Sequence, residues 1–337
     1  MRRSSDSHVR RDARSQRCQP VSLDRRTLLT QLALGGGLCA CGPATRAEEQ
    51  GEAGARVAAP QVRYCLNMST VRGQKLSLPE QVDLAAKAGY DAIEPWINEL
   101  RQYQQSGGSL SDLKKRIADH GLAVASAIGF AEWIVSDPAR RQAGLEQAKQ
   151  DMDLVAAIGG THLAAPPAGA TRDTSVDLRE AAERYRTLLE LGASRGVIPQ
   201  LEVWGFSATL SRLGETLLVA LESQHPQACV LLDVYHLYKG GSGFSTLRLL
   251  SGAAMHCFHI NDYPATPPRE TIRDADRVYP GEGVAPLRSI LQDLLATGFR
   301  GFLSLELFNP AYWQQDALTV ARTGLEKMRA AVAAATG

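Results

Sequence analysis

From residue 61 onward the chain alternates short, unbroken apolar runs with longer stretches in which apolar side chains recur every three or four positions. Unbroken runs suit strands buried on both faces, and a 3.6-residue period suits helices that cover such a sheet with one face. Eight runs read as strands: 62–67, 92–96, 123–128, 161–165, 200–204, 229–234, 255–261 and 302–307. Helical periodicity falls over 79–88, 110–120, 140–158, 177–195, 210–224, 286–296 and 315–335. The punctuation agrees with these limits. Leu78-Pro79-Glu80 puts proline in a first helical turn, and Gly89, Gly121, Gly159 and Gly196 follow last turns, where a left-handed cap costs glycine little. Eight strand-helix pairs in about 275 residues fit a barrel of about 250 residues better than an open doubly wound sheet. The expected fold class is α/β, a single (β/α)8 TIM barrel over residues 61–337.

Phosphate-binding glycine signatures do not support a nucleotide enzyme: no convincing G-x-G-x-x-G follows the first strand, and no G-x-x-x-x-G-K-[ST] occurs. The cluster Gly240-Gly241-Ser242-Gly243 after the sixth strand reads as a flexible loop over the active face. Composition is that of a globular protein, 44% hydrophobic and 22% charged. The net charge of +1 hides an asymmetry. Residues 1–40 hold eight arginines and three aspartates, which leaves 29 basic against 33 acidic groups, a net of −4, in the remainder. A mildly acidic body argues against a nucleic-acid partner.

The basic start changes the picture of the first 60 residues. Asp24-Arg25-Arg26 leads into an uncharged apolar stretch, 28–38, of the length of a signal-peptide core and shorter than the roughly 20 residues of a membrane span. Residues 1–40 therefore read as a signal peptide of twin-arginine type, a class that exports folded proteins, and the expected location is periplasmic. Leu38-Cys39-Ala40-Cys41 resembles a lipoprotein cleavage box, which would lipidate Cys41 and attach the chain to a membrane. Thr45-Arg46-Ala47 resembles an ordinary cleavage site, and both endings stand. Residues 41–60 read as a linker. The body cysteines, Cys65, Cys229 and Cys257, sit inside apolar runs and read as buried thiols.

Four later strand ends carry metal-type ligands: Glu202, Asp233, His259 and Glu306, one from each of strands five to eight. Charged groups inside apolar runs each cost several kcal/mol, roughly, unless paired or metal-bound. In a barrel these ends converge on one pocket. Three carboxylates and an imidazole suit one divalent ion, Mn2+, Mg2+ or Co2+, with Zn2+ also accommodated. Glu94, at the end of strand two, is read either as a substrate-facing group or as a partner for the backbone of a neighbouring strand end. Trp133 and Trp204 follow strands three and five and are candidate walls for a sugar face. His162 begins its strand, at the mouth away from catalysis, and His256, three residues before His259, is expected to pack under a helix. Glu282 reads as loop structure.

Across residues 62–335 these motifs resemble the xylose-isomerase-like TIM barrels, in particular the sugar isomerase and epimerase branch with tagatose epimerase, hydroxypyruvate isomerase and inosose enzymes. The resemblance implies that Glu202, Asp233, His259 and Glu306 hold one divalent metal. It further implies that Glu202 and Glu306 move a proton through a metal-stabilised enediolate. Asp233-Val234-Tyr235-His236 matches the family's Asp-x-x-His, implying that His236 holds a substrate oxygen. Asp276-Arg277-Val278-Tyr279-Pro280-Gly281-Glu282-Gly283 is similar to its arginine and P-G-x-G segment, implying a substrate contact for Arg277. The activity implied is isomerisation or epimerisation of an unphosphorylated small-molecule carbohydrate. A keto-inositol or keto-sugar dehydratase shares the first proton abstraction. An apurinic endonuclease shares the metal positions, but would want imidazoles where Glu94 and Ile128 stand. A non-catalytic sugar-binding barrel would have no need of two carboxylates placed for proton transfer. The sequence sets no oligomeric state.

Overall fold

The computed structural model describes residues 62–172 and 176–337, in which eight parallel strands follow one another around a barrel. They are β1 (Arg63–Asn67), β2 (Ala92–Glu94), β3 (Ala123–Val124), β4 (His162–Ala165), β5 (Ile198–Glu202), β6 (Val230–Asp233), β7 (Cys257–Ile260) and β8 (Phe302–Leu305). Among the described residues nine α-helices are interleaved: α1 (Leu78–Ala88), α2 (Ile97–Gln105), α3 (Leu110–Asp119), α4 (Pro138–Ala157), α5 (Leu178–Arg195), α6 (Leu213–Glu222), α7 (Val234–Lys239), α8 (Leu287–Ala296) and α9 (Ala317–Thr336). The signal-peptide and linker readings, with Arg25, Arg26 and Cys41, fall outside the described residues. Among those described, no helix is long and apolar enough to cross a membrane.

β1 pairs with both β2 and β8, so the first and last strands meet. Between β3 and β4 the wall is joined by a single backbone bond, Ala164 N–H to the Ala127 carbonyl at 2.8 Å, while Gln200 of β5 reaches across to Ser126 Oγ with its Nε2 at 2.9 Å. The run 123–128 keeps ladder geometry only over Ala123–Val124 and rejoins β2 at an isolated Trp96–Ile128 bridge.

Period-two alternation assigns each strand residue to a face. Leu66, Ile93, Leu201, Leu232, Phe258, Leu303 and Leu305 point outward into the main core beneath the helices. Cys65, Ala92, Ala125, Ala164, Leu231, Cys257 and Phe302 fill the barrel interior. All three body cysteines are free and buried. The helices start and stop where their ends are satisfied. Ser77 and Glu80 form a capping box at α1, and Gly89 and Gly196 close α1 and α5 with φ of 93° and 69°.

Two loop readings are corrected. Gly240 closes α7 with its N–H on the His236 carbonyl (2.9 Å), and a β-carbon there would collide with the Ser211 carbonyl, so this end of the glycine cluster is a packed turn, not a flexible loop. His256 does not pack under a helix: its ring stacks on His162, centroids 4.1 Å apart, at the mouth where the strands begin. Glu282 pairs with Lys327 at 2.8 Å.

Candidate active site

On six of the eight strands the barrel-facing position at or just past the C-terminal end is polar, two residues beyond an interior residue lower in the barrel. Cys65 gives way to Asn67, Ala92 to Glu94, Gln200 to Glu202, Leu231 to Asp233, Cys257 to His259 and Ser304 to Glu306. Each of these six strands thereby delivers one polar side chain to its C-terminal end, where barrel active sites form. Four of these groups, Glu94, Glu202, Asp233 and Glu306, are buried carboxylates, and excess negative charge out of water requires compensating cations.

Asp233, His259 and Glu306 converge, with one ligand atom from each within 4.8 Å of the others. His259 Nδ1 lies 3.2 Å from Glu306 Oε2 and 3.7 Å from Asp233 Oδ2, is buried and has no hydrogen-bond partner. Arg277, fully buried, bridges the two carboxylates: its Nη1 donates to Asp233 Oδ2 at 2.9 Å and Glu306 Oε2 at 2.8 Å. Its Nη2 donates to His236 Nε2 at 3.1 Å and pairs with Asp274. That bond places the His236 proton on Nδ1, which is buried and unpartnered. Burial, then the Arg277 charge, pushes the His236 imidazole down to about 4, so the ring is neutral near pH 7.

Glu202 stands outside the three-residue cluster but lines the same pocket, and its Oε2 is buried with no partner. Burial pushes its carboxyl up to about 8, opposed by the His259 ring and reinforced by Glu306. Burial pushes the Glu306 carboxyl the same way, but His259 and Arg277 outweigh it and the net direction is down. An orphaned imidazole nitrogen, an orphaned carboxylate oxygen and two converging carboxylates are what a hard or borderline divalent ion binds, so the donor set fits such an ion.

The pocket, of about 160 Å3, is lined on its polar side by Glu202, His236, Asp274, Arg277 and Glu306. Trp204 lines it too, with Trp96, Ile128, Phe130, Phe206 and Phe308. Two candidate substrate contacts are placed elsewhere. Trp133 is 1% exposed, donates from its indole to the Pro166 carbonyl at 2.8 Å and packs on Tyr185, because the chain after β3 turns it into the core between α4 and α5. Glu94 does not reach the pocket either. Its Oε2 accepts from Ser304 Oγ (2.7 Å), Asn67 Nδ2 (2.8 Å) and His259 Nε2 (3.0 Å), below the site.

Several residues escaped sequence reasoning. Asn67 ends an apolar run just as Glu94 does, and the same criterion would have found it. Asn261 donates to Asp233 Oδ2 at 3.0 Å and accepts from the Tyr235 N–H. Asp262 accepts from the N–H groups of Tyr263, Gly281, Gly283 and Ala285 at 2.8–3.1 Å, which fixes the P-G-x-G turn that follows Arg277. The adjacent pair Asn261-Asp262 after His259 was the available signal.

Comparison with known proteins agrees with this fold. A family model described as xylose isomerase-like TIM barrel matches residues 82–331. The 3-dehydroshikimate dehydratase of Pseudomonas putida is 27% identical over 254 residues, 75% of this chain, which spans only 39% of that longer protein. The inosose isomerase of Bacillus velezensis is 24% identical over 275 residues, 80% of this chain and 97% of the relative. Among solved structures, the IolI protein with a bound zinc atom superposes with a TM-score of 0.74 at 23% identity, covering 81% of this chain and 98% of that one.

Proposed function

The chain belongs to the xylose isomerase-like TIM barrel family, and from that premise we propose that it is a divalent-metal-dependent isomerase or epimerase of a sugar or sugar derivative. The observation that carries the proposal is the convergence of Asp233, His259 and Glu306, with His259 Nδ1 unpartnered and the Glu202 carboxylate facing the same pocket. Those four residues would hold the ion. When bound, a divalent cation supplies positive charge against the adjacent oxygens of a hydroxyketone. Glu202 and Glu306, on β5 and just beyond β8, stand on the pocket wall as the two groups able to take a proton from a substrate carbon and return it. Return to the same carbon gives an epimer, and return to its neighbour gives an isomer. His236 offers Nδ1–H to a substrate oxygen, and Arg277 keeps that proton in place through Nε2.

A dehydratase reading has its own support in the 27% identity to a 3-dehydroshikimate dehydratase. It uses the same first proton removal, followed by loss of a β-hydroxyl as water. Incubation in D2O with ketoses, keto-inositols and 3-keto-sugars, followed by NMR, separates the two. The expected result is deuterium incorporation without loss of water. An unsaturated product transfers the assignment to the dehydratase. Asp233→Asn should lose metal and activity together, whereas Glu202→Gln and Glu306→Gln should retain a ligating oxygen and lose more turnover than metal affinity. A protein that bound none of Mn2+, Mg2+, Co2+ or Zn2+ at these residues would sink the proposal.

A further inference from the structure

Five aromatic rings form a continuous arc around one side of the pocket. Phe308 meets Trp96 with centroids 6.0 Å apart, Trp96 meets Phe130 at 5.2 Å, Phe130 meets Trp204 at 5.9 Å, and Trp204 meets Phe206 at 5.2 Å. Phe206 then reaches His236 at 5.6 Å, which returns the arc to the polar side. None of the five carries a hydroxyl, and the Trp96 indole N–H is already spent on Asn67 Oδ1 at 3.0 Å. The Arg277 Nη groups are likewise committed to Asp233, Glu306, His236 and Asp274. Phe206 is 45% exposed at the rim and is the one aromatic among the large exposed apolar side chains of the described residues.

A free ketohexose or inosose carries hydroxyls around its whole ring. Seated with its keto-alcohol against Glu202, Glu306 and His236, it would turn most of its remaining hydroxyls toward the arc, where among the five rings only the Trp204 indole N–H, beside Glu202, is left to donate. Each hydroxyl left unpaired out of water gives up the hydrogen bond it made in solvent without a replacement. An apolar ring in the same place gains instead from burial and from offset or edge contacts with the arc. Building on the proposed reading of the pocket as a hydroxyketone site, we infer from the arc that its substrate is a hydroxyketone bearing an apolar ring substituent, such as a keto-sugar with an aryl aglycone.

A matched pair of probes isolates the substituent: methyl and phenyl 3-keto-β-D-glucoside, titrated calorimetrically into the protein with and without added Mn2+. The phenyl compound should bind at least about tenfold more tightly, and Phe206→Ala, a rim change that leaves the buried residues in place, should shrink that ratio about threefold or more. Equal affinities, tighter binding of the methyl compound, or no binding of either would overturn the inference. A phenyl preference in a protein that takes up no Mn2+ would uphold the aromatic wall while overturning the metal-dependent reading, so the two fail separately.

Discussion

His259 is held from both sides by different chemistry. Its Nε2 donates to Glu94, whose oxygen is shared with Ser304 and Asn67, and this leaves Nδ1, 3.7 Å from Asp233 and 3.2 Å from Glu306, as the ring atom that would face a bound ion. Burial pushes the Glu94 carboxyl up, but the His259 ring, Ser304 and Asn67 outweigh it and the net direction is down, toward the charged form. A carboxylate behind a ligating imidazole fixes its tautomer and raises its basicity. Glu94 is thus a positioning residue in the proposed metal site. In Glu94→Gln one amide oxygen can still accept from the ring, but the charge is gone. Metal affinity should fall roughly tenfold, within the 10- to 100-fold range of such partners, as read by calorimetry on the folded variant. Unchanged affinity would reduce Glu94 to scaffolding. The sequence made Glu94 conspicuous as a charge in an apolar run, yet its target could not be read there, since the Glu94 to His259 contact joins β2 to β7 across the barrel.

Elements were legible in proportion to the regularity of what they bury. The strands show as apolar runs because helices cover their outer faces while small residues fill the interior. α2 was not found by periodicity because only Ile97 and Leu100 of its nine residues are buried, too few to set a period. α7 was missed for a different reason: its six residues follow Asp233 directly and are too few to show a helical period, and its first, Val234, reads as the end of the strand. The glycine cluster after α7 was misread because sequence cannot distinguish glycine kept for freedom from glycine kept for closeness. Gly240 has helical φ and ψ of −76° and −9°, which any residue can adopt, so its restriction is steric. Gly240→Ala drives a methyl group into the Ser211 carbonyl, a backbone atom with little room to yield, and should destabilise the barrel by about 2 kcal/mol or more. Gly243→Ala, three residues on, meets nothing within 4 Å and serves as the control. Denaturant unfolding that found the two variants equally stable would refute the packed-turn account.

At the scale of the whole molecule, the barrel cannot close until its end is made. β1 pairs with β8, and α9 packs on α1, so the first and last elements of the fold support each other across more than 200 residues. Contacts of such long sequence separation form late, and a chain released in pieces would expose unpaired strand edges. A route that exports finished protein suits this topology, and it also suits a site whose ligands come from four strands and whose metal would be loaded on folding. Arg25-Arg26 stands ahead of the apolar stretch 28–38, the pattern that reads as a twin-arginine leader. We propose on this ground that the chain is exported folded, through a twin-arginine leader. Replacing both arginines by lysine keeps the charge and removes the guanidinium pair, so a general preference for basic residues would be unaffected while twin-arginine recognition would be lost. The expected outcome, by fractionation and immunoblotting, is full-length precursor retained in the cytoplasm, and mass spectrometry of the wild-type mature terminus would separate a lipidated Cys41 from a start at Glu48. Export of the double-lysine protein at the wild-type level would sink the twin-arginine reading.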